Sequence, residues 1–422
     1  VSFRGQQLRE GMDEVAFGIA HTAAVLGDIL PAQHGPENGQ NGLGGGGKGR
    51  SGFAGSQIRQ GQTLLVHLAV AVDRQFFQMD QEGGDHIIGQ IGGQMAKNLQ
   101  FIDIVFGAVV TADDLLAAVP SVTRVCEVTT RPLFNLDSTD MTPKEWTVVA
   151  AAIRDAYDCF DGFVITHGTD TLAYAAATLS CLLQHSEKPI VLTGAQLPMG
   201  VPGSDAAENL KDAFAWALSE GARGVRIVFA GRVIRGLRAR KRHTTDPDAF
   251  ESVGCPDTAL IHDGQIIRYG VPVGEGQGSV TDSPLMPPHE FYEDLDTRIA
   301  LAHLTPGMSP FVLRHMAEGL HALIVEGVGI GGIPDTLVPV LTRVAESGVY
   351  LILTSQVPYG ESDFTVYRAG RRIHDACGGQ VVTARDIPSE AAFAAAMWAM
   401  AVSRDREDMA DQFARALRGA DL

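Results

Sequence analysis

The sequence has little positive charge and no long apolar run. Its 422 residues include 33 Lys and Arg against 50 Asp and Glu, which gives a formal net charge of -17. Because such a chain repels phosphate backbones and anionic lipids, we expect it to bind neither nucleic acid nor membranes. No apolar run approaches the ~20 residues that a transmembrane helix needs. The N-terminus also lacks the basic and apolar stretches of a signal peptide, so we predict a soluble protein of the cytoplasm.

Cysteine is scarce as well. The chain has five cysteines, scattered without a CxxC pair or the spacing of metal ligands: Cys126, Cys159, Cys181, Cys255 and Cys377. This pattern is typical of reduced cysteines in a protein core and agrees with a reducing compartment. His167, His243 and His262 also lack Cys or carboxylate partners at ligand spacing. We therefore expect no metal and no organic cofactor.

Residues 1–85 differ in composition from the rest of the chain. They are rich in Gly, Gln and His, and residues 44–50 read GGGGKGR, a run that neither a helix nor a strand tolerates well. Residues 64–72 are apolar enough to form one element, but no alternation of strands and helices surrounds them. We predict that residues 1–85 form an atypical Gly- and Gln-rich extension that is either poorly ordered or wrongly assigned to the protein.

From about Phe101 onward, short apolar segments alternate with helical patterns. The first series consists of strand 160–166, helix 171–183, strand 189–193, helix 205–217 and strand 225–230. The second series consists of strands 299–304, 322–325 and 349–353 and a final helix over 389–402. This alternation is typical of parallel sheets covered by helices. It predicts an α/β fold with a doubly wound parallel-sheet N-terminal domain and a smaller parallel α/β C-terminal domain.

The length and one change in composition predict the domain boundaries. A single core seldom exceeds ~250–300 residues, so two domains are expected. Between Tyr269 and Asp296 the chain is rich in Gly, Pro, Ser and acidic residues, including GEGQGS at 274–279, which is typical of a linker. We predict a larger N-terminal domain over residues 86–270, a linker over 271–296 and a C-terminal domain over 297–422.

A polar motif follows the predicted strand 160–166. It reads Thr166-His167-Gly168-Thr169-Asp170-Thr171. In open parallel sheets, ligands bind beyond the carboxyl ends of the strands. Thr169 also precedes a predicted helix, whose free N–H groups can stabilise an anionic intermediate. The alternative is that Thr and Asp only cap this helix, and the motif alone favours this capping interpretation.

Three further motifs accompany it in a fixed order. They are LDSTDMTP at 136–143, TGAQLP at 193–198 with SDAAENL at 204–210, and RGLRARKRHTT at 235–245. Several independent motifs in order are far more specific than one alone. The ordered set resembles the L-asparaginase family, especially its cytosolic bacterial branch, over about three quarters of the chain. The resemblance implies an amidohydrolase that converts L-asparagine to aspartate and ammonia, without a cofactor, in a homodimer or homotetramer.

The resemblance also implies roles for individual residues. Ser138, with Thr139 beside it, would bind the α-carboxylate and amino end of the substrate, and Asp170 would bind its ammonium. Thr169, Asp170 and Lys241 would form the second catalytic group of the family, in which Lys241 helps the Thr169 hydroxyl, or a water, to act as a nucleophile. For Lys241, the sequence alone favours a different interpretation, a solvated charge within the basic run 238–242.

One part of the family pattern is missing. The first catalytic group of the family is a nucleophilic Thr in a Thr-Gly-Gly-Thr-Ile turn after the first strand, followed by a Tyr on a mobile loop. The best placement of that turn is residues 91–96, IGGQMA, which puts Gln94 at the nucleophile position. No Thr occurs between Thr63 and Thr111, and no Tyr precedes Tyr157. Because Gln cannot replace a hydroxyl nucleophile, we expect impaired catalysis.

Three hypotheses account for this departure. The first ~100 residues of an asparaginase gene can be corrupted or mis-assigned, which the coinciding break in composition favours. The chain can instead be a pseudoenzyme that binds Asn or Asp without turnover, or an asparaginase-like subunit of a tRNA-dependent amidotransferase. The last would carry an N-terminal extension of alternating strands, which residues 1–85 lack, and a basic face. A small-molecule-binding α/β protein without enzymatic activity is a further alternative, because fold does not dictate chemistry.

Overall fold

The computed structural model describes residues 97–105, 111–269, 288–366, 368–377 and 381–419. The predicted extension 1–85 and Gln94 lie outside these ranges. The strands are β1 (Lys97–Val105), β2 (Cys126–Leu136), β3 (Gly162–Thr166), β4 (Leu183–Gln184), β5 (Pro189–Thr193), β6 (Gly224–Phe229), β7 (Arg232–Arg235), β8 (Ala239–Lys241), β9 (Phe250–Ser252), β10 (Ala259–His262), β11 (Gln265–Arg268), β12 (Glu290–Phe291), β13 (Ile299–His303), β14 (Ala322–Gly327), β15 (Tyr350–Ser355) and β16 (Val381–Thr383). The helices are α1 (Ala112–Ala117), α2 (Pro120–Thr123), α3 (Pro143–Ala156), α4 (Leu172–Leu182), α5 (Ala206–Leu218), α6 (Pro310–Met316), α7 (Val338–Glu346), α8 (Arg368–Cys377), α9 (Ser389–Val402) and α10 (Arg406–Gly419).

The larger sheet has the strand order β11-β10-β7-β6-β5-β3-β1-β2. Its strands from β2 to β6 pair in parallel, and β7, β10 and β11 extend it in antiparallel pairs. Helices cover both faces, since α3 and α4 pack on one side and α1, α2 and α5 on the other. The central strands β3 and β5 are buried along their whole length, as expected for strands between two helical layers.

The smaller sheet is entirely parallel, in the order β13-β14-β15-β16. Helix α9 packs on one face together with α10, and α6, α7 and α8 pack on the other. The predicted α/β class, with a doubly wound N-terminal sheet and a smaller parallel sheet, is therefore confirmed. Helix α10 and the antiparallel strands β7, β10 and β11 are additions to the predicted elements.

Two Ala-rich helices join the domains. Helix α4 of the large domain packs against α9 of the small one, and Ala177 and Cys181 of α4 share a core with Ala391, Ala395 and Trp398 of α9. Small side chains on both helices permit this close approach, because an Ala adds little width to a helix. This packing fixes the middle and carboxyl half of α4 against the smaller domain.

The predicted linker 271–296 ends in a packed segment. Strand β12 pairs antiparallel with β4, and the side chains of Phe291, Tyr292 and Leu295 pack against the core of the large domain. Apolar side chains at these positions explain the packing, since each Å² of apolar surface removed from water is worth about 25 cal/mol. No helix in the described part of the chain is long and apolar enough to cross a membrane.

The cysteines are only partly as predicted. Cys126 and Cys181 are buried, and burial raises the pKa of their thiols to about 11 and about 12. Cys159 is exposed, so the prediction of a core cysteine is wrong there. It ends the 3-10 helix Tyr157–Cys159, a surface turn between α3 and β3. All five thiols are free.

Candidate active site

A cavity of about 300 Å³ opens at the carboxyl ends of β1, β3 and β5. The loops that follow β2, β3 and β5 form its walls, and Ser138, Thr169, Asp170 and Gln196 line it. This is the edge of a parallel sheet at which ligands bind. The sequence predicts a site here, and the structure places Ser138, Thr169 and Asp170 around one cavity.

Two glycines allow these loops to approach each other. A Cβ at Gly168 would lie 2.6 Å from Ser138 Oγ, and a Cβ at Gly194 would lie 2.3 Å from the carbonyl oxygen of His167. Both distances are shorter than non-bonded contacts permit, so neither position accepts a side chain without movement of its neighbour. The glycines of the two motifs thus bring the loops after β2, β3 and β5 together.

Lys241 contacts both polar residues of the β3 motif. Its Nζ donates to Thr169 Oγ1 at 2.8 Å and to Asp170 Oδ1 at 2.6 Å. The Lys241 side chain is only 18% exposed, whereas that of Asp170 is 57% exposed. Lys241 is therefore held against the motif rather than solvated, although 72 residues separate it from Thr169. Strand β8 positions it by pairing with β9, where Lys241 lies opposite Phe250.

Gln196 completes the surroundings of the Thr169 hydroxyl. Thr169 Oγ1 donates to Gln196 Oε1 at 3.0 Å, and Gln196 Nε2 donates to the carbonyl oxygen of Asp246 at 3.1 Å. Asp205 accepts the backbone N–H of Gln196 at 3.0 Å and fixes this loop. The Thr169 hydroxyl thus accepts from an ammonium and donates to an amide oxygen, which defines where its hydrogen points.

The loop after β2 brings Ser138 to the cavity but turns Thr139 away. Ser138 is 5% exposed, and its carbonyl oxygen accepts the hydroxyl of Thr171 at 2.7 Å. Thr139 is exposed, and both its N–H and its hydroxyl donate to Asp137 Oδ1 at 2.9 Å. Asp137 therefore caps the 3-10 helix Ser138–Asp140 by accepting from Thr139. Asp137 lines the cavity, and Thr139 does not.

Two residues of the cavity have no role predicted from the sequence, although both adjoin recognisable motifs. Asp103, near the end of β1, accepts the hydroxyl of Thr166 at 2.6 Å and is 8% exposed. His167 is 2% exposed, and burial lowers the pKa of its imidazole to about 4. Its Nδ1 lies 2.7 Å from the carbonyl oxygen of Gly168. The imidazole is neutral at neutral pH and, with Nδ1 donating, fixes the turn before Thr169.

Gln94, predicted at the nucleophile position of the first catalytic group, lies outside the described residues. Within the described ranges, no three His, Cys, Asp or Glu side chains form a group that could hold a metal ion. The assembled groups are a hydroxyl, a lysine amine, carboxylates and the amino end of α4. This set is suited to nucleophilic attack by the hydroxyl, with charge stabilisation by the helix end.

Comparisons with known proteins agree along both domains. Residues 88–272 match the family model "Asparaginase, N-terminal", and residues 298–413 match "Glutaminase/Asparaginase C-terminal domain". The L-asparaginase of Thermococcus kodakarensis is 36% identical over 320 residues, which cover 74% of this chain and 92% of that protein. A glutamyl-tRNA(Gln) amidotransferase subunit of Pyrococcus abyssi is 33% identical over 332 residues, covering 76% of this chain and 73% of that protein.

Solved structures give the same result. The thermostable L-asparaginase of T. kodakarensis superimposes with a TM-score of 0.68 at 33% identity, covering 76% of this chain and 98% of the other. L-asparaginase I of Vibrio cholerae superimposes with a TM-score of 0.64 at 27% identity, covering 76% of this chain and 97% of the other. The similarity thus extends over nearly the whole length of these proteins.

Proposed function

Since this chain belongs to the asparaginase family, we propose that it hydrolyses the side-chain amide of L-asparagine to aspartate and ammonia. The observation that carries the proposal is the contact of Lys241 with both Thr169 and Asp170. A threonine hydroxyl is a weak nucleophile until a base lies against it. The lysine amine supplies that base within hydrogen-bond distance.

In the proposed reaction the Thr169 hydroxyl turns from Gln196 to Lys241 and gives its proton to Nζ, while Nζ passes one of its own protons to Asp170 Oδ1, its hydrogen-bond partner. The Thr169 oxygen then forms a bond to the amide carbon, and the carbonyl oxygen becomes negative. The amino end of α4, which begins at Leu172, stabilises this charge. Return of the proton to the amide nitrogen releases ammonia and leaves an ester on Thr169. A water molecule hydrolyses the ester, which releases aspartate and restores the hydroxyl.

Substrate binding is proposed for the polar groups of the same cavity. The Asp170 carboxylate stabilises the Lys241 ammonium through Oδ1 and is positioned to attract the α-ammonium of the substrate. Ser138 Oγ is proposed to donate to the α-carboxylate, from a side chain buried at the cavity wall. Gln94 at the predicted nucleophile position of the first catalytic group is the reason we propose slow turnover. The same substitution supports the alternative of a pseudoenzyme that only binds the amino acid.

A second candidate function is an asparaginase-like component of a tRNA-dependent amidotransferase. The 33% identity to the P. abyssi amidotransferase subunit over 332 residues supports it as directly as the T. kodakarensis enzyme supports the first candidate. The proposed amide cleavage is the same in both cases. The difference lies in the ammonia, which a hydrolase releases and an amidotransferase transfers to glutamyl-tRNA. We further propose that the chain forms a homodimer or homotetramer, which light scattering tests.

An ammonia-release assay with the purified chain distinguishes these functions. L-Asparagine and L-glutamine are compared as substrates, with Lys241→Met as the site variant and Lys144→Met, at an exposed position on α3, as the matched control. If Lys241→Met abolishes ammonia release from asparagine and Lys144→Met does not, the result supports the hydrolase. Release that requires a partner protein and glutamyl-tRNA supports the amidotransferase. Calorimetric binding of aspartate without any release supports the pseudoenzyme, and neither binding nor release would overturn all three.

A further inference from the structure

A second cavity, of about 60 Å³, lies at the opposite end of the large sheet. Gly224, the first residue of β6, lines it, and Gly224 pairs with Pro189, the first residue of β5. The proposed active site is at the carboxyl ends of these parallel strands, so the two cavities are separated by the length of the sheet. Arg223, Arg226, Arg235 and Arg415 all line the smaller cavity.

Two of these arginines lie directly opposite each other. Arg226 of β6 and Arg235 of β7 are partners in the antiparallel register. Like charges at opposed positions on neighbouring strands are destabilising. Arg226 is only 8% exposed, and burial together with Arg235 and Arg223 lowers its pKa to about 10. The sheet thus places a buried arginine opposite a partly exposed one, with a third, exposed arginine at the rim.

Arg235 also contacts a cysteine that does not line the cavity. Its Nη1 donates to the Sγ atom of Cys255 at 3.2 Å, and cysteine sulfur is a weak acceptor. Among the described residues, Arg235 Nε is buried without a hydrogen-bond partner. Arg235 therefore retains a donor that is not satisfied within the described structure. Because this Nε is enclosed, an anion in the cavity is expected to bind the terminal Nη donors of Arg235.

The far wall of the cavity belongs to the C-terminal domain. Arg415 of α10 lines it and forms an ion pair with Glu290 Oε2 at 2.7 Å. Arg223 at the rim is exposed. The cavity is too small for a bulky organic molecule and fits a compact ion. Although the whole chain is acidic, charges farther away than ~8 Å are largely screened at physiological salt, so the local arginines determine the potential.

We propose that this cavity is a binding site for a small oxyanion of the phosphate or sulfate class, held by Arg226 and Arg235 with Arg223 at the entrance. Guanidinium groups bind such anions through paired N–H donors. A bound oxyanion would offset the repulsion between the two opposed arginines. It would also attract Arg415 and so link α10 to the large sheet. The site is independent of amide hydrolysis and requires neither candidate function to be correct.

Thermal unfolding of the full chain, followed by circular dichroism, tests the proposal with inorganic phosphate as the probe. Because a ligand that binds only the folded state stabilises it by mass action, phosphate should raise Tm saturably. Potassium chloride at equal ionic strength should not. The exposed Arg223 permits a variant that keeps the buried packing, Arg223→Gln. Arg235→Gln tests the inner donor, and Arg314→Gln on α6 is the matched control at an arginine remote from the cavity.

We expect Arg235→Gln to weaken the apparent affinity for phosphate about tenfold, the effect of one lost charge-assisted contact. Arg223→Gln should weaken it by a smaller factor, and Arg314→Gln should leave it unchanged. Glycerol phosphate separates the two sources of the anion: tighter binding of the ester indicates a phosphorylated metabolite, and weaker binding indicates the free ion. A Tm that responds equally to phosphate and chloride, or a phosphate response that survives in both Arg223→Gln and Arg235→Gln, would overturn the proposal.

Discussion

Lys241 Nζ lies 2.8 Å from Thr169 Oγ1. This contact joins a residue of β8 to a residue of the loop after β3. The same hydroxyl donates to Gln196. A hydroxyl with both a donor and an acceptor fixed around it has little rotational freedom. Its oxygen is therefore oriented before a substrate arrives, and this reduces the cost of reaching an attack geometry.

Replacing Thr169 by Val should remove the proposed nucleophile while keeping the volume of the side chain. We expect kcat for asparagine to fall by about 10²–10⁴-fold, the range usual for one general acid–base or nucleophilic group. Thr169→Ser should keep most of the activity because it retains the hydroxyl. Steady-state ammonia release measures both. Full activity in Thr169→Val would require a nucleophile elsewhere in the chain.

Replacing Asp170 by Asn should weaken aspartate binding. The carboxylate is proposed to face the substrate ammonium, and an amide offers no charge to it. We expect an affinity loss of at least about tenfold, since hydrogen bonds to charged groups contribute about 1.5–3 kcal/mol. Isothermal titration calorimetry measures the loss, with Asp158→Asn at an exposed surface position as the control. Unchanged affinity in Asp170→Asn would contradict the assignment.

Replacing Gln196 by Met should lower kcat more than it raises KM. Gln196 Oε1 accepts the Thr169 hydroxyl, so it acts through Thr169 as a positioning residue. Gln196→Glu keeps an acceptor and should retain more activity than Gln196→Met. Gln265→Met, on the exposed side of β11, controls for the loss of an amide. A rise in KM alone would indicate a role in substrate binding instead.

His167 predicts a pH dependence of stability. Burial lowers its pKa from 6.5 to about 4, so the unfolded chain binds its proton at higher pH than the folded chain. The contribution of neutral His167 to the free energy of unfolding is complete above pH 6.5. It is lost as the pH falls from 6.5 toward 4, by about 3 kcal/mol in all. His167→Asn should reduce this loss. Denaturant unfolding at about pH 7.5 and about pH 4.5 compares the two proteins. An identical pH response in both would refute the assignment.

Asp212 on α5 predicts the opposite dependence. Burial, together with the nearby Glu208, raises its pKa from 3.8 to about 7. The folded chain then holds this proton more tightly, so its stabilising contribution is lost as the pH rises from 3.8 to 7. Asp212→Asn should raise the free energy of unfolding at about pH 8 by an amount on the order of 4 kcal/mol. At about pH 5 the gain should be much smaller. An equal gain in the free energy of unfolding at both pH values would indicate that changed packing, and not the ionisation of Asp212, causes the gain.

The sequence predicts the central fold well because those elements have strong local signals. Strands β3 and β5 are uniformly apolar, and the predicted helix over 389–402 coincides with α9. The antiparallel edge strands are less apparent because β11 is mostly exposed and carries mixed side chains. For the smaller cavity, the sequence offers one indication, Arg226, because a charged residue inside an apolar strand is unusual.

The site is predictable only in part. The motif around Thr169 follows from its place after a strand, but the contact with Lys241 joins residues far apart in sequence and leaves no periodic pattern. Only a family resemblance connects them. Thr139 shows why a motif alone is insufficient. It is adjacent to Ser138 in the same motif, but the turn points Ser138 into the cavity and Thr139 away from it.

The close approach of Gly168 to Ser138 limits how this site can change during evolution or engineering. A methyl group at position 168 would overlap the Ser138 hydroxyl, so a larger residue there requires position 138 to become smaller at the same time. That compensation would remove the hydroxyl proposed to bind the substrate carboxylate. Altered substrate selectivity is therefore more accessible through the loop that carries Gln196 than through either member of this pair.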